Sequence, residues 1–323
     1  MNKKLRIVFM GTPEFAVASL EALLAADFEI VAVVTAPDKP AGRGKKIMQP
    51  AVKVAALSHG LTVLQPERLK AHDFVETFRE LQADLGIVVA FRMLPEVIWA
   101  MPKLGTFNLH ASLLPDYRGA APINHAIING ETETGITTFF LQHDIDTGDI
   151  ILQEKMPIGP AESAGELHDR LMHTGANLVV KTAKAISSGD YTQQPQQWPA
   201  NMNRMPRQAP KIFKEDTLID WKNPANKIYN KIRGLSPYPT AYTVLKSPEE
   251  LLFPIKIYQA TYEDTSAAPP PGSILTDSKT YLKIYAEDGL IEILELQMAG
   301  KTRMSTKNFL NGFDMNERWQ TNG

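Results

Sequence analysis

The sequence predicts a doubly wound α/β domain, then a linker and a small β-barrel, on three observations. Apolar runs of strand length alternate with helical patterns through residues 1–191. A stretch rich in Pro and Gln, without periodicity, interrupts the chain at 192–210. One amphipathic segment and several short β-rich runs follow. With 323 residues there is chain enough for two domains, here 1–191 and 211–323, joined by the linker 192–210.

The elements read in order as follows. Leu5 to Met10 is a buried strand, and Pro13 suits the first turn of a helix that runs to Ala25. Phe28 to Thr35 is a second strand. A helix over 50–59, a short strand over 61–64 and a helix over 72–82 come next. Asp84 to Ala90 and Leu104 to Leu109 are long apolar strands, and 135–142 and 149–156 form a further pair. Ser163-Ala164-Gly165-Glu166 has the pattern of a capping box that starts a helix to Ser188. Beyond the linker, Pro224 to Gly234 is amphipathic, and β-rich runs fall at 240–245, 254–262, 272–276, 280–285 and 290–297.

Composition narrows the chemistry. There is no cysteine, so thiolate nucleophiles, Cys-ligated zinc and disulfides are excluded. The seven histidines show no paired ligand spacing, and no metal site is expected. No apolar stretch approaches a membrane span, and the basic start is too short for a signal segment, so the expected place is the cytoplasm. Net charge is −2, but it is unevenly spread. Residues 35–53 carry a local +4 in a loop with Gly42 and Gly44, and 204–233 carry +5, whereas 1–191 carry −4. Two basic patches on an acidic body suggest a polyanionic macromolecule.

The chemistry concentrates in Asn108-Leu109-His110, followed by Ser112-Leu113-Leu114-Pro115 and Tyr117-Arg118-Gly119, with Asp146-Thr147-Gly148 downstream. On a strand, positions 108 and 110 share a face. An amide donor and an imidazole then point into one space, and a carboxylate from Asp146 can orient the imidazole. That set suits acyl transfer: a donor for a developing oxyanion and a group to move protons. Phe9-Met10-Gly11-Thr12-Pro13 lacks a dinucleotide fingerprint, and Pro13 removes an amide that a phosphate would use, so a structural turn is expected there.

These motifs, with Val8 to Ala16, Pro37 to Lys46, Arg118 to Pro122, Ala209-Pro210-Lys211, Ile219-Asp220-Trp221 and Ile232 to Pro239, resemble the folate-dependent formyltransferase family over essentially the whole chain. Phe91-Arg92 stands where the family usually has Tyr-Gly. The resemblance implies a Rossmann-like catalytic domain and an OB-like C-terminal domain that binds tRNA. It implies formyl transfer from 10-formyltetrahydrofolate to the α-amine of methionine on the initiator methionyl-tRNA, by a monomer without metal. Asn108, His110 and Asp146 are the implied catalytic residues. Val89, Ala90, Phe91, Met93, Leu94, Ser112, Leu113, Leu114, Pro115 and Asp144 are the implied folate contacts. Arg43, Lys45, Lys46, Lys211 and Arg233 are the implied tRNA contacts. The chemistry is expected to lie wholly within 1–191.

Overall fold

Ile7 to Met10, Ala32 to Val34 and Leu85 to Val89 are apolar without an alternating polar face, so each strand must be covered on both sides. The computed structural model, which describes residues 4–41, 46–197, 204–265, 269–316 and 318–321, buries all of them in one sheet. The first elements are β1 (Arg6–Gly11), α1 (Glu14–Ala25), β2 (Glu29–Val34), β3 (Lys39–Ala41), β4 (Lys46–Met48), α2 (Ala51–Ser58) and β5 (Val63–Leu64). Then come α3 (His72–Glu80), β6 (Leu85–Val89), α4 (Glu96–Trp99), β7 (Thr106–His110), β8 (Arg118–Gly119) and α5 (Pro122–Ile128). β9 (Glu133–Phe140), β10 (Ile150–Pro157), α6 (Ala164–Ser188) and β11 (Gln208–Ala209) complete this half of the chain.

The sheet order is β10-β9-β7-β6-β1-β2-β5. β5, β2, β1, β6 and β7 are parallel, and β9 runs antiparallel to β7. The chain builds outward from β1 to β5 on one side, then restarts at β6 on the other. The carboxyl ends of β1 and β6 therefore flank the point where a doubly wound sheet opens a crevice. Gly11 ends β1 there because a Cβ would lie 2.7 Å from Ala16 Cβ and 3.0 Å from the Val89 carbonyl. The turn after β1 is thus structural, as its sequence suggests.

The chain divides into two compact units: one of residues 1–119, 134–156 and 168–208, the other of 120–133, 157–167 and 209–323. In the second, α7 (Ala225–Leu235) precedes β12 (Ala241–Lys246), β13 (Leu252–Asp264), β14 (Ile274–Thr276), β15 (Leu282–Tyr285), β16 (Gly289–Met298), β17 (Met304–Ser305), α8 (Thr306–Asn311) and β18 (Gln320–Thr321). The strands pair in the order β14-β15-β16-β13-β12-β18. A bridge from Ser273 to Gln320, with Thr321 N donating to Gly272 O at 2.9 Å, brings the ends together into a nearly closed barrel. Its core holds Trp221, fully buried, whose Nε1 donates to Thr243 Oγ1 at 2.9 Å.

α5 packs against α7 within this unit. Gly234 allows the close approach, since a Cβ there would lie 2.6 Å from Ile128 Cγ1, and Asn124 Nδ2 donates to Gly234 O at 2.8 Å. Two features depart from the sequence reading. α5 falls where only a turning segment was expected, although Pro122 at its start was a usable signal. The basic loop is flanked by a two-stranded ribbon, with Lys39 opposite Met48 and Ala41 opposite Lys46.

Candidate active site

β7 places Asn108 and His110 at successive positions of one face. Asn108 registers with Val88 of β6 and Phe139 of β9, and His110 with Thr137. The Asn108 amide is half-buried and makes no hydrogen bond among the described residues, so it is free to meet a ligand. His110 is buried. Its Nε2 lies 2.8 Å from the carbonyl oxygen of Tyr117, and its Nδ1 lies 3.9 Å from Asp146 Oδ2. A carbonyl only accepts, so the hydrogen of the neutral ring sits on Nε2. Nδ1 is left with a lone pair beside a carboxylate.

Two loops make this arrangement. The first, 112–119, is tied down by one of its own hydroxyls and by side chains of β9 and β10. Ser112 Oγ donates to Asp116 O at 2.6 Å, and Thr137 Oγ1 donates to Ser112 O at 2.7 Å. Gln153 Nε2 donates to Leu114 O at 2.9 Å. Tyr117 has φ of 60°, a left-handed conformation costly for a bulky residue, and it aims the carbonyl that receives His110. The second loop carries Asp146, also left-handed at φ 54°, and ends at Gly148. A Cβ on Gly148 would lie 1.6 Å from the Phe140 carbonyl, so only glycine lets the loop pass β9. Gly119 N donates to Asp146 Oδ2 at 3.0 Å, which joins the two loops at the oxygen nearest His110.

The segment 141–143 packs beside the end of β6. Leu141 contacts the cluster that includes Val88 and Leu94, and the His143 ring meets Trp99 at 5.7 Å. Of the residues expected at the folate, Ala90, Met93 and Asp144 are exposed on this rim. Phe91, Leu113 and Pro115 are half-buried, and Val89, Leu94, Ser112 and Leu114 are buried. Arg92, beside Phe91, turns away to donate to the carbonyls of Pro66 and Glu67. It anchors the rim and leaves the site's electrostatics to other groups.

Arg43 and Lys45 lie outside the described residues, and of Lys46 only the backbone, in β4, is described. Lys211 is exposed in the second unit. Arg233 differs from its expected place at an RNA surface. It is 8% exposed, donates to Glu162 O at 2.9 Å and to Asn230 Oδ1 at 2.8 Å, and lies over the Tyr229 ring. Burial pushes its guanidinium below the usual arginine range. Its charge is spent on holding 159–162 within its own unit.

Sequence reasoning also missed partners outside 1–191. Asp116 accepts from the guanidinium of Arg204 and from Arg207 N, and Tyr117 N donates to Arg207 O at 2.7 Å. Gln196 reaches the Asp146 loop. Asn108, His110 and Asp146 all lie within 1–191, and the segment that follows supplies hydrogen bonds to both loops around His110. Nothing in its composition signalled this. Among the described residues no group of three or more His, Asp or Glu is placed to hold a metal ion, and no helix is long and apolar enough to cross a membrane.

An amide, an imidazole and a carboxylate thus meet at the end of β7, and the chain belongs to the formyl transferase family. That family's formyl transferase domain matches residues 5–183, and its C-terminal domain matches 211–314. Among its relatives, the methionyl-tRNA formyltransferase of Bacteroides fragilis is 52% identical over 319 residues, covering 99% of this chain and 98% of that protein. The methionyl-tRNA formyltransferase of Parabacteroides distasonis is 54% identical over 313 residues, 97% of each chain. Among solved structures, the sugar 3N-formyl transferase WlaRD, in the presence of dTDP and 5-N-formyl-THF, is similar with a TM-score of 0.62. It is 21% identical, covering 93% of this chain and 100% of that one. HypX from Aquifex aeolicus, in complex with tetrahydrofolic acid, has a TM-score of 0.62 at 17% identity, over 95% of this chain and 47% of that one. At such identities the likeness is one of fold.

Proposed function

We propose that this chain transfers the formyl group of 10-formyltetrahydrofolate to the α-amine of methionine on initiator methionyl-tRNA, in the cytoplasm and as a monomer. The observation that carries the substrate is the near-complete, two-domain match to relatives named for that reaction. The site geometry supports the chemistry. The amine nitrogen attacks the formyl carbon, and the Asn108 amide donates to the oxyanion that forms. His110 Nδ1 takes the proton released by the amine, and Asp146 stabilises the resulting imidazolium. As the bond from the formyl carbon to the folate nitrogen breaks, His110 returns the proton to that nitrogen. No covalent enzyme intermediate is required.

The rim formed by Ala90, Phe91, Met93, Leu113, Pro115 and Asp144 is the place for the folate ring system, with the formyl group toward Asn108. Buried Val89, Leu94, Ser112 and Leu114 shape it from behind. Arg43, Lys45 and Lys46 serve the RNA from the first unit, and Lys211 from the second. Mass spectrometry of methionyl-tRNA incubated with the protein and 10-formyltetrahydrofolate tests the assignment. A gain of one formyl group on the amino acid is expected. No gain with folded protein, but formylation of an amino sugar or glycinamide ribonucleotide, would move the chain to another branch of the family.

A further inference from the structure

Several residues of the segment that joins the two family domains make polar contacts with the loops around His110. Gln194 forms a two-bond bridge with Ile150, just past the Asp146 loop. The half-buried Gln196 then turns its side chain into the loops themselves. Its Nε2 donates to Asp146 O at 2.9 Å and to Gly148 O at 2.8 Å. Its Oε1 accepts from Arg118 Nε at 3.0 Å and Nη2 at 2.7 Å. The amide is fully used, and its orientation is unambiguous: a flipped amide would set NH₂ against a guanidinium and oxygen against two carbonyls.

From this geometry we infer that Gln196 is a positioning residue for the His110–Asp146 pair. The inference rests on reading those two residues as the proton-handling pair. Arg118 sits between the two groups that touch His110 and its carboxylate. Tyr117 O receives Nε2, and Gly119 N donates to Asp146 Oδ2. One amide thus ties the backbone of the Asp146 loop to the Arg118 side chain of the other loop. The Asp146 loop needs such a tie. Its residue 146 is left-handed without being glycine, a conformation that persists only where surroundings impose it. Its far end is already confined by the contact of Gly148 with Phe140 O. Without Gln196, the near end keeps the bond from Gly119 N to the carboxylate and the loop's own bond from Thr147 Oγ1 to Asp144 O.

The test uses the full-length chain, kinetics on charged initiator tRNA, and the variants Gln196→Ala, Gln196→Glu and Asp146→Ala. Glutamate is isosteric and keeps an oxygen for Arg118, but sets its second oxygen against the carbonyls of Asp146 and Gly148. Both Gln196 variants should lower kcat by about 10- to 100-fold with KM for each substrate within about threefold, as expected for a misplaced reacting group. On the Asp146→Ala background, Gln196→Ala should cost little more, because the two act as one unit. The control Gln193→Ala, at an exposed position, should be unaffected.

Wild-type kcat in Gln196→Glu would overturn the inference, as would losses that multiply on the Asp146→Ala background, or a change in KM alone. If Gln196→Ala proves unstable, the isosteric variant carries the test. Failure of the underlying reading looks different: His110→Ala and Asp146→Ala would themselves be near wild type.

Discussion

The Nδ1 of His110 and the Oδ2 of Asp146 are 3.9 Å apart, while the other imidazole nitrogen is 2.8 Å from the Tyr117 carbonyl. The separation is longer than a hydrogen bond, so Nδ1 keeps its lone pair unshared with the carboxylate. His110→Ala and Asp146→Ala should each lower kcat by about 10²-fold or more, with near-normal folate affinity. Asn108→Ala should do the same by removing an oxyanion donor, at about 10²- to 10³-fold. Steady-state rates beside fluorescence titration with folate check this, and near-normal turnover in any of the three would remove that residue from the mechanism.

The basic segment 37–46 should speak to the RNA and not to folate. Arg43→Ala should raise KM for tRNA or lower kcat/KM with folate affinity unchanged, and should cost more than Lys45→Ala. A guanidinium can engage a phosphate in two places, whereas an ammonium is a point charge. Binding of tRNA should weaken with salt, and Lys211→Ala should reduce the slope. Equal weakening of folate and tRNA by Arg43→Ala would assign the segment to the folate pocket instead.

Arg233 is expected to be a stability residue. Replacing it with Met removes the guanidinium's bonds to the carbonyls of Gly159 and Glu162 and to Asn230 Oδ1, at about 1–3 kcal/mol. Denaturant titration should show that loss. The tRNA affinity of the remaining folded protein should be unchanged, and a selective loss of affinity would restore Arg233 to the RNA surface.

The capping box at the start of α6 carries a pH dependence of known sign. Ser163 N donates to Glu166 Oε2 at 2.8 Å and Ser163 Oγ at 2.7 Å, which hold the Glu166 carboxyl below its ordinary value. A depressed carboxyl contributes its stability in full above the ordinary carboxylate range and loses it as pH falls through the lowered value. Ser163→Ala should cost about 1 kcal/mol at neutral pH. That cost, measured in urea, should shrink as the solution is taken below the carboxylate range, and a cost independent of pH would contradict the linkage.

A fragment of residues 211–323 should fail to form a stable domain, although it spans the whole C-terminal family match. It lacks α5 and residues 157–167, which cover α7. Circular dichroism and thermal melting of the fragment would show a broad or absent transition. A cooperative melt like that of the intact chain would show those segments to be dispensable.

The parallel sheet was legible because its strands are uniformly apolar and its helices periodic. Asn108, His110 and Asp146 were legible because two sit two apart on one strand and the third begins an Asp-Thr-Gly turn. What escaped was contact across long separations. Gln196 looks like one glutamine among several, and its meaning lies in carbonyls some fifty positions earlier. Arg204 and Arg233 were counted as surface charge, since counting cannot tell a solvated guanidinium from one pledged to Asp116 or Glu162.

The interleaving of the two units sets an order of events at the ribosome. Asn124 on α5 waits for Gly234 on α7, 110 residues later. At about 5–20 residues per second, α5 is exposed for roughly 5–20 s before its partner is made. During that interval Ile128 has no α7 to pack against, so this face of α5 stays uncovered until the C-terminal part of the chain has been made.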